Sequence, residues 1–135
     1  ARSDHLRSLL FKLTEAGVYA ADTPQGLRVS GRAGRAMEVR TMAYPGFPTD
    51  LQQPMSALLT TAHGTSIVTE TIFEQRFKHL EELRSMGARV RVVERMAIIE
   101  GVPQLYGAPV TTTDLRAGAA LVVAGLMAKG VTEIY

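Results

Sequence analysis

The apolar residues of the chain follow two spacings, one typical of helices and one typical of strands. In four segments they recur every three or four residues, which is the spacing that buries one face of a helix. Gly17 and Gly87 follow the first and third of these segments, at the position where a glycine commonly ends a helix. The four predicted helices lie at about 6–13, 51–63, 73–86 and 114–130.

Short runs rich in β-branched residues lie between these helices. VYAADTPQGLRVSG and ARVRVVERMAIIEG each predict a pair of strands, and MEVRTMAY, TSIVTETI and VTEIY each predict one strand. A helix, paired strands, a loop, a helix preceded by Asp and a final strand therefore occur twice, at about 5–68 and 79–135. This order predicts an α/β fold in which two duplicated units form one domain over 1–135.

Composition and charge exclude several classes of protein. The chain has 135 residues, of which 46% are hydrophobic, and its net charge is +2. Lys and Arg are scattered, so we expect no nucleic-acid partner, and no apolar run approaches the ~18 residues of a membrane span. The absence of cysteine excludes disulfides and thiolate metal sites and fits a reducing, cytoplasmic environment. His5, His63 and His79 show no ligand spacing, so we expect no metal site.

An Asp stands at two junctions between a loop and a helix. Asp50 follows the loop YPGFPT and has Gln53 three residues later, which is an acidic variant of the capping-box spacing. Asp114 occupies the same kind of junction in TTTDLRAGAALVV. Each carboxylate has two readings, as a helix cap or as part of a site. For Asp114 we favour the cap, and for Asp50 the residues alone also favour the cap.

Four motifs together resemble one family closely: FPTDLQ, TETIFEQRF, MGA and TTTDLRAGAALVVAG. In this order and spacing they are similar to the UDP-N-acetylglucosamine 1-carboxyvinyltransferases, the enolpyruvyl transferases that begin peptidoglycan synthesis. The resemblance implies an inside-out α/β barrel domain built from repeated βαβαββ units. It also implies that the chain is about a third of a longer polypeptide, whose other domain is a partner in forming the active site.

The resemblance further implies a reaction and the residues that serve it. The enolpyruvyl group of phosphoenolpyruvate would move to the 3-hydroxyl of UDP-N-acetylglucosamine with release of phosphate, and no cofactor is implied. Asp50 would take the hydroxyl proton, while capping its own helix when the site is empty. The Ile72 backbone and Phe73 would meet the nucleotide-sugar, and Arg76 and Arg116 would face the substrate phosphates.

Two other interpretations stay open. One is a fragment of the shikimate-pathway enolpyruvyl transferase, which has the same fold and a different acceptor. The other is a non-catalytic α/β module for binding or assembly, in which Asp50 and Asp114 are only helix caps. In every case the isolated chain is expected to lack turnover and to expose apolar surface through which it could associate with itself.

Overall fold

The computed structural model describes residues 2–74, 76–112 and 114–135 and contains four helices in that part of the chain. The helices are α1 (Arg7–Glu15), α2 (Gln52–Leu59), α3 (His79–Ser85) and α4 (Leu115–Met127). Short 3₁₀ turns lie at Ser3–His5 and Thr49–Leu51. The strands are β1 (Tyr19–Thr23), β2 (Gly26–Ser30), β3 (Glu38–Arg40), β4 (Thr65–Thr69), β5 (Arg89–Val93), β6 (Met96–Glu100), β7 (Pro109–Val110) and β8 (Glu133–Ile134).

The strands form three sheets. The largest has the order β3-β4-β6-β5, in which β3 and β4 are parallel and the other neighbours are antiparallel. The strands β1 and β2 form a separate hairpin, and β7 pairs with β8 in parallel. The two strand pairs and the three single strands predicted from the sequence are therefore present.

The hydrophobic core lies against one face of the largest sheet, where α2 contacts β4 and α3 contacts β5. Alternate residues of β4 and β6, including Val68, Ala97 and Ile99, are fully buried, which is the period-2 pattern of a half-covered sheet. The helices α2 and α4 pack against each other and contribute Leu59 and Leu121 to the same core. This contact brings the amino-terminal ends of α2 and α4 close together.

The order of elements recurs along the chain. A helix, an antiparallel hairpin, a short strand, a second helix and a parallel partner strand run from α1 to β4 and again from α3 to β8. The interpretation of 5–68 and 79–135 as duplicated units of one domain stays a prediction.

The third helix is shorter than its apolar spacing predicted. It begins at His79, so Phe73 and Phe77 lie before it. The N–H groups of Ile72 and Phe73 donate to the side chain of Glu70, which holds this segment in a turn. The second helix ends at Leu59 and not near residue 63.

Candidate active site

An ion pair joins two of the predicted site residues. The Nε of Arg116 donates to Oδ1 of Asp50 at 2.5 Å, although 66 positions separate the two residues in sequence. Asp50 belongs to the 3₁₀ turn that leads into α2, and Arg116 belongs to the first turn of α4. Because α2 and α4 pack together, their first turns lie side by side. The side chains of Asp50 and Arg116 are 65% and 40% exposed, so the pair lies on the surface.

The expectation that Asp50 caps its own helix is wrong. Neither the 3₁₀ turn nor α2 has a side-chain cap among the described residues, and Leu51 occupies the N-cap position of α2. The turn Thr49–Leu51 separates loop from helix, so Asp50 lies one residue too early to reach the free amides of α2. Its carboxylate turns instead toward Arg116.

Asp114 is a helix cap, as the sequence indicated. Its Oδ1 accepts a hydrogen bond of 2.9 Å from the N–H of Ala117, in the first turn of α4. The two Asp residues stand at similar junctions in the sequence and make different contacts. Asp114 holds its own helix, and Asp50 contacts a side chain of another helix.

Ile72, Phe73 and Arg76 form a second part of the candidate site. Ile72 and Phe73 are both exposed, and the guanidinium of Arg76 lies over the ring of Phe73 at 4.3 Å from its centroid. Because Glu70 already accepts from the N–H groups of Ile72 and Phe73, a ligand that contacts the Ile72 backbone would use its carbonyl oxygen. The Phe73 ring thus lies at the surface, before the start of α3, and not in the hydrophobic core.

A buried carboxylate lies behind this surface, and the sequence analysis missed it. Glu70 is only 1% exposed and accepts five hydrogen bonds, from Thr41, Thr49, Gln52 and the backbone of Ile72 and Phe73. Its position at the end of β4, in the motif TETIF, was the available signal, because an acidic residue rarely ends a buried strand unless it is paired.

The hydrogen bonds of Glu70 keep it ionised. Burial raises the pKa of its carboxyl, but the bonds from Thr49, Thr41, the Ile72 N–H and Gln52 together outweigh burial, and the pKa is lowered from 4.5. Each of these donors stabilises the charged form, since a carboxylate accepts hydrogen bonds with both oxygens.

His79 is the other buried titratable group near the candidate site. It is 2% exposed at the start of α3. Burial lowers its pKa from 6.5 to about 4, while the charge of Asp114 and the backbone of Arg76 act more weakly in the opposite direction. The imidazole is therefore neutral near pH 7. Within the described part of the chain, no cluster of three His, Cys, Asp or Glu residues could hold a metal ion.

Asp50 and Arg116 lie on exposed surface, whereas Phe73 and Arg76 line a pocket of about 260 Å³ together with Glu70. An apolar cavity of about 350 Å³, lined by residues that include Leu13, Leu58 and Met127, contains none of the predicted site residues. No described helix combines the length and apolar character needed to cross a membrane.

Curated relatives resemble the chain over nearly its whole length. UDP-N-acetylglucosamine 1-carboxyvinyltransferase 2 of Bacillus subtilis is 57% identical over 132 residues, which are 96% of this chain and 31% of the relative. UDP-N-acetylglucosamine 1-carboxyvinyltransferase 1 of Caldanaerobacter subterraneus is 54% identical over 97% of this chain and 32% of its own length. The chain thus spans about a third of the length of these relatives, and the resemblance seen in the sequence motifs is confirmed.

Solved structures share the fold. The enolpyruvyl transferase NikO from Streptomyces tendae superposes with a TM-score of 0.82 at 27% identity, over 96% of this chain and 30% of NikO. EPSP synthase from Acinetobacter baumannii has a TM-score of 0.68 at 19% identity, over 99% of this chain and 33% of its own, which shows the fold alone. The predicted α/β fold of enolpyruvyl transferase type is confirmed.

A family model agrees with both comparisons. The model described as EPSP synthase (3-phosphoshikimate 1-carboxyvinyltransferase) matches residues 1–135. The chain therefore belongs to the EPSP synthase family of enolpyruvyl transferases.

Proposed function

We propose that this chain is part of an enzyme that transfers the enolpyruvyl group of phosphoenolpyruvate to the 3-hydroxyl of UDP-N-acetylglucosamine. The observation that carries the proposal is the Asp50–Arg116 pair, which joins a carboxylate and a guanidinium from distant motifs at one surface. Identity of 57% to a relative named for this reaction supports the choice of acceptor. The step would belong to peptidoglycan synthesis, and we expect the enzyme to act in the cytoplasm without a cofactor.

Asp50 is proposed as the base. The hydroxyl oxygen must lose a proton as it bonds to the enolpyruvyl carbon and phosphate leaves, and a positioned carboxylate can accept that proton. Arg116 orients the carboxylate through Oδ1, and no hydrogen bond from another described residue reaches Oδ2. The second oxygen is therefore placed to accept from a substrate.

The remaining site residues are proposed to bind substrate. Arg76 and Arg116 are both half-exposed, and guanidinium groups pair well with phosphate oxygens. The Ile72 carbonyl and the Phe73 ring would contact the nucleotide-sugar. The exposure of the Asp50–Arg116 pair supports a second wall from the rest of the enzyme, so we expect no turnover by these 135 residues alone.

The proposal is tested with Asp50→Asn in a full-length enzyme that contains this segment. Phosphate release with both substrates should fall by about 100-fold or more, the usual contribution of a general base. Asp22→Asn is the matched control, because Asp22 is also exposed but lies in the β1–β2 hairpin. A rate for Asp50→Asn within twofold of the control would rule out the proposed base.

A second candidate acceptor comes from the family model, whose description names 3-phosphoshikimate. Phosphate release with phosphoenolpyruvate and either acceptor separates the two enzymes directly. Turnover with shikimate 3-phosphate and none with the nucleotide-sugar would replace the acceptor and keep the transferase. No turnover with either, from a folded full-length protein, would favour the non-catalytic module.

A further inference from the structure

We propose that Glu70 is a positioning residue that fixes the turn bearing Asp50 against the turn bearing Ile72 and Phe73. This inference rests on the proposed function, and it concerns a residue that would not itself contact substrate. Glu70 is 1% exposed, so its side chain is covered by the two turns that it joins. Each of its two side-chain oxygens accepts hydrogen bonds from one of these turns.

Oε1 holds the turn that carries Asp50. It accepts from the Thr49 hydroxyl at 2.8 Å and from Nε2 of Gln52 at 3.3 Å. These two donors lie on either side of Asp50 in the sequence, so the backbone that carries the proposed base is held at both ends. Tilting this turn would move the Asp50 carboxylate with it.

Oε2 holds the turn that carries Ile72 and Phe73. It accepts from their N–H groups at 3.1 and 3.3 Å and from the Thr41 hydroxyl at 2.8 Å. The two turns are therefore held next to each other by hydrogen bonds to the two oxygens of one carboxylate. All five bonds come from residues outside β4, the strand that Glu70 follows.

The network also reaches Arg76. Nε2 of Gln52, which donates to Glu70, also donates to the Arg76 carbonyl oxygen at 3.4 Å. Arg76 is the residue whose guanidinium lies over the Phe73 ring. Three of the five predicted site residues, Ile72, Phe73 and Arg76, are thus one or two contacts from Glu70, and a fourth, Asp50, is next to Thr49 in the sequence. The fifth, Arg116, is held by Asp50.

A carboxylate suits this position and a carboxamide does not. All five contacts to Glu70 are donors, and a carboxylate only accepts. In Glu70→Gln, the amide placed at Oε1 would face the Gln52 amide. To relieve that conflict Gln52 would have to turn over, which removes its donor from the Arg76 carbonyl.

The first test measures Glu70→Gln in a full-length enzyme that contains this segment. We expect kcat/KM for the nucleotide-sugar to fall by about 10- to 100-fold, as for a misplaced reacting group. Ser66→Ala is the matched control, because Ser66 is buried on β4, the strand that Glu70 follows, and its hydroxyl accepts from the Met37 N–H, away from both turns. An equal loss of kcat/KM in the two variants, at equal melting temperature, would mean that Glu70 is only structural.

A milder pair of variants guards against misfolding. Thr49→Val removes one donor to Glu70 next to Asp50, and Thr49→Ser keeps the hydroxyl. Thr49→Val should lower kcat/KM several-fold, whereas Thr49→Ser should keep most of the wild-type kcat/KM. The melting temperatures of the two variants should lie within a few degrees of each other. If Thr49→Val and Thr49→Ser have the same activity, the proposal is wrong.

Amide exchange provides a readout that does not depend on turnover. Hydrogen exchange at Ile72 and Phe73 should become about tenfold faster in Glu70→Gln, because the neutral oxygen left at Oε2 accepts more weakly than a carboxylate, and a weakening of about 1.4 kcal/mol changes exchange by that factor. Ser66→Ala should leave it unchanged. If the wild-type enzyme fails to turn over, the proposed function fails, and unchanged exchange at these amides separately overturns the role of Glu70.

Discussion

The buried imidazole of His79 predicts a loss of stability in mild acid. Its pKa is lowered from 6.5 to about 4 in the folded chain, mainly by burial. Between these values the unfolded chain binds a proton that the folded chain does not, so the free energy of unfolding falls as the pH falls. Above about pH 7.5 the effect is absent, and below about pH 4 it is complete.

The size of the effect follows from the two pKa values. At 1.36 kcal/mol per pKa unit, the full loss is about 3 kcal/mol, of which about 2 kcal/mol occurs by pH 5. For a domain with a typical stability of about 5–15 kcal/mol, this is a substantial part. Stopping near pH 5 also keeps most of the titration of Glu70 out of the measurement, because the pKa of Glu70 is lowered from 4.5.

Urea unfolding of the chain from about pH 7.5 to about pH 5 measures this loss. In His79→Gln the slope of stability against pH should flatten, whatever the substitution does to stability at pH 7. The matched control is His63→Gln, because His63 is exposed, and there the slope should persist. A wild-type loss below about 0.5 kcal/mol by pH 5, or the same slope in His79→Gln, would refute the burial argument.

Two further predictions concern the helix ends and the outer face of α4. Asp114→Ala should lower the free energy of unfolding by about 1 kcal/mol at any salt concentration, because it removes the cap on Ala117. Asp50→Ala should lower it by ~0.2–1 kcal/mol, and this loss should disappear at high salt. Urea titrations at two salt concentrations check both, and a salt-independent loss for Asp50→Ala would contradict the ion pair with Arg116. Leu115 and Leu126 are 87% and 84% exposed, so replacing both with Lys should reduce the predicted self-association of the isolated chain. Sedimentation at increasing protein concentration measures this association. A wild-type chain that stays monomeric throughout would show that this face drives no association.

The sequence predicted those elements whose signals are local. The paired strands of β5 and β6 and the cap at Asp114 each depend on residues within a few positions of one another. Gly17 and Gly87 adopt positive φ values of 101° and 100° after the first and third helices, as expected of glycines that end helices. Such features need little information about the rest of the fold.

The prediction for the third helix failed because a long-range contact overrode a local pattern. Phe73 and Phe77 have helical spacing with Leu80, and that spacing alone indicates one continuous helix. The folded chain instead uses the Ile72 and Phe73 amides as donors to Glu70, whose charge is also stabilised by Thr41, about thirty residues earlier. No window of local sequence contains both ends of that network.

The candidate site depends on helix packing more than on any single motif. Asp50 and Arg116 are each readable from their own motif, yet neither motif indicates that the two side chains meet. They meet because α2 and α4 pack together, with fully buried Ala57 and Ala120 among the core residues of the two helices. The proposed base therefore comes from one recurring unit and its arginine from the other. We therefore expect the site to require both units in their packed arrangement, since neither unit alone would orient the carboxylate.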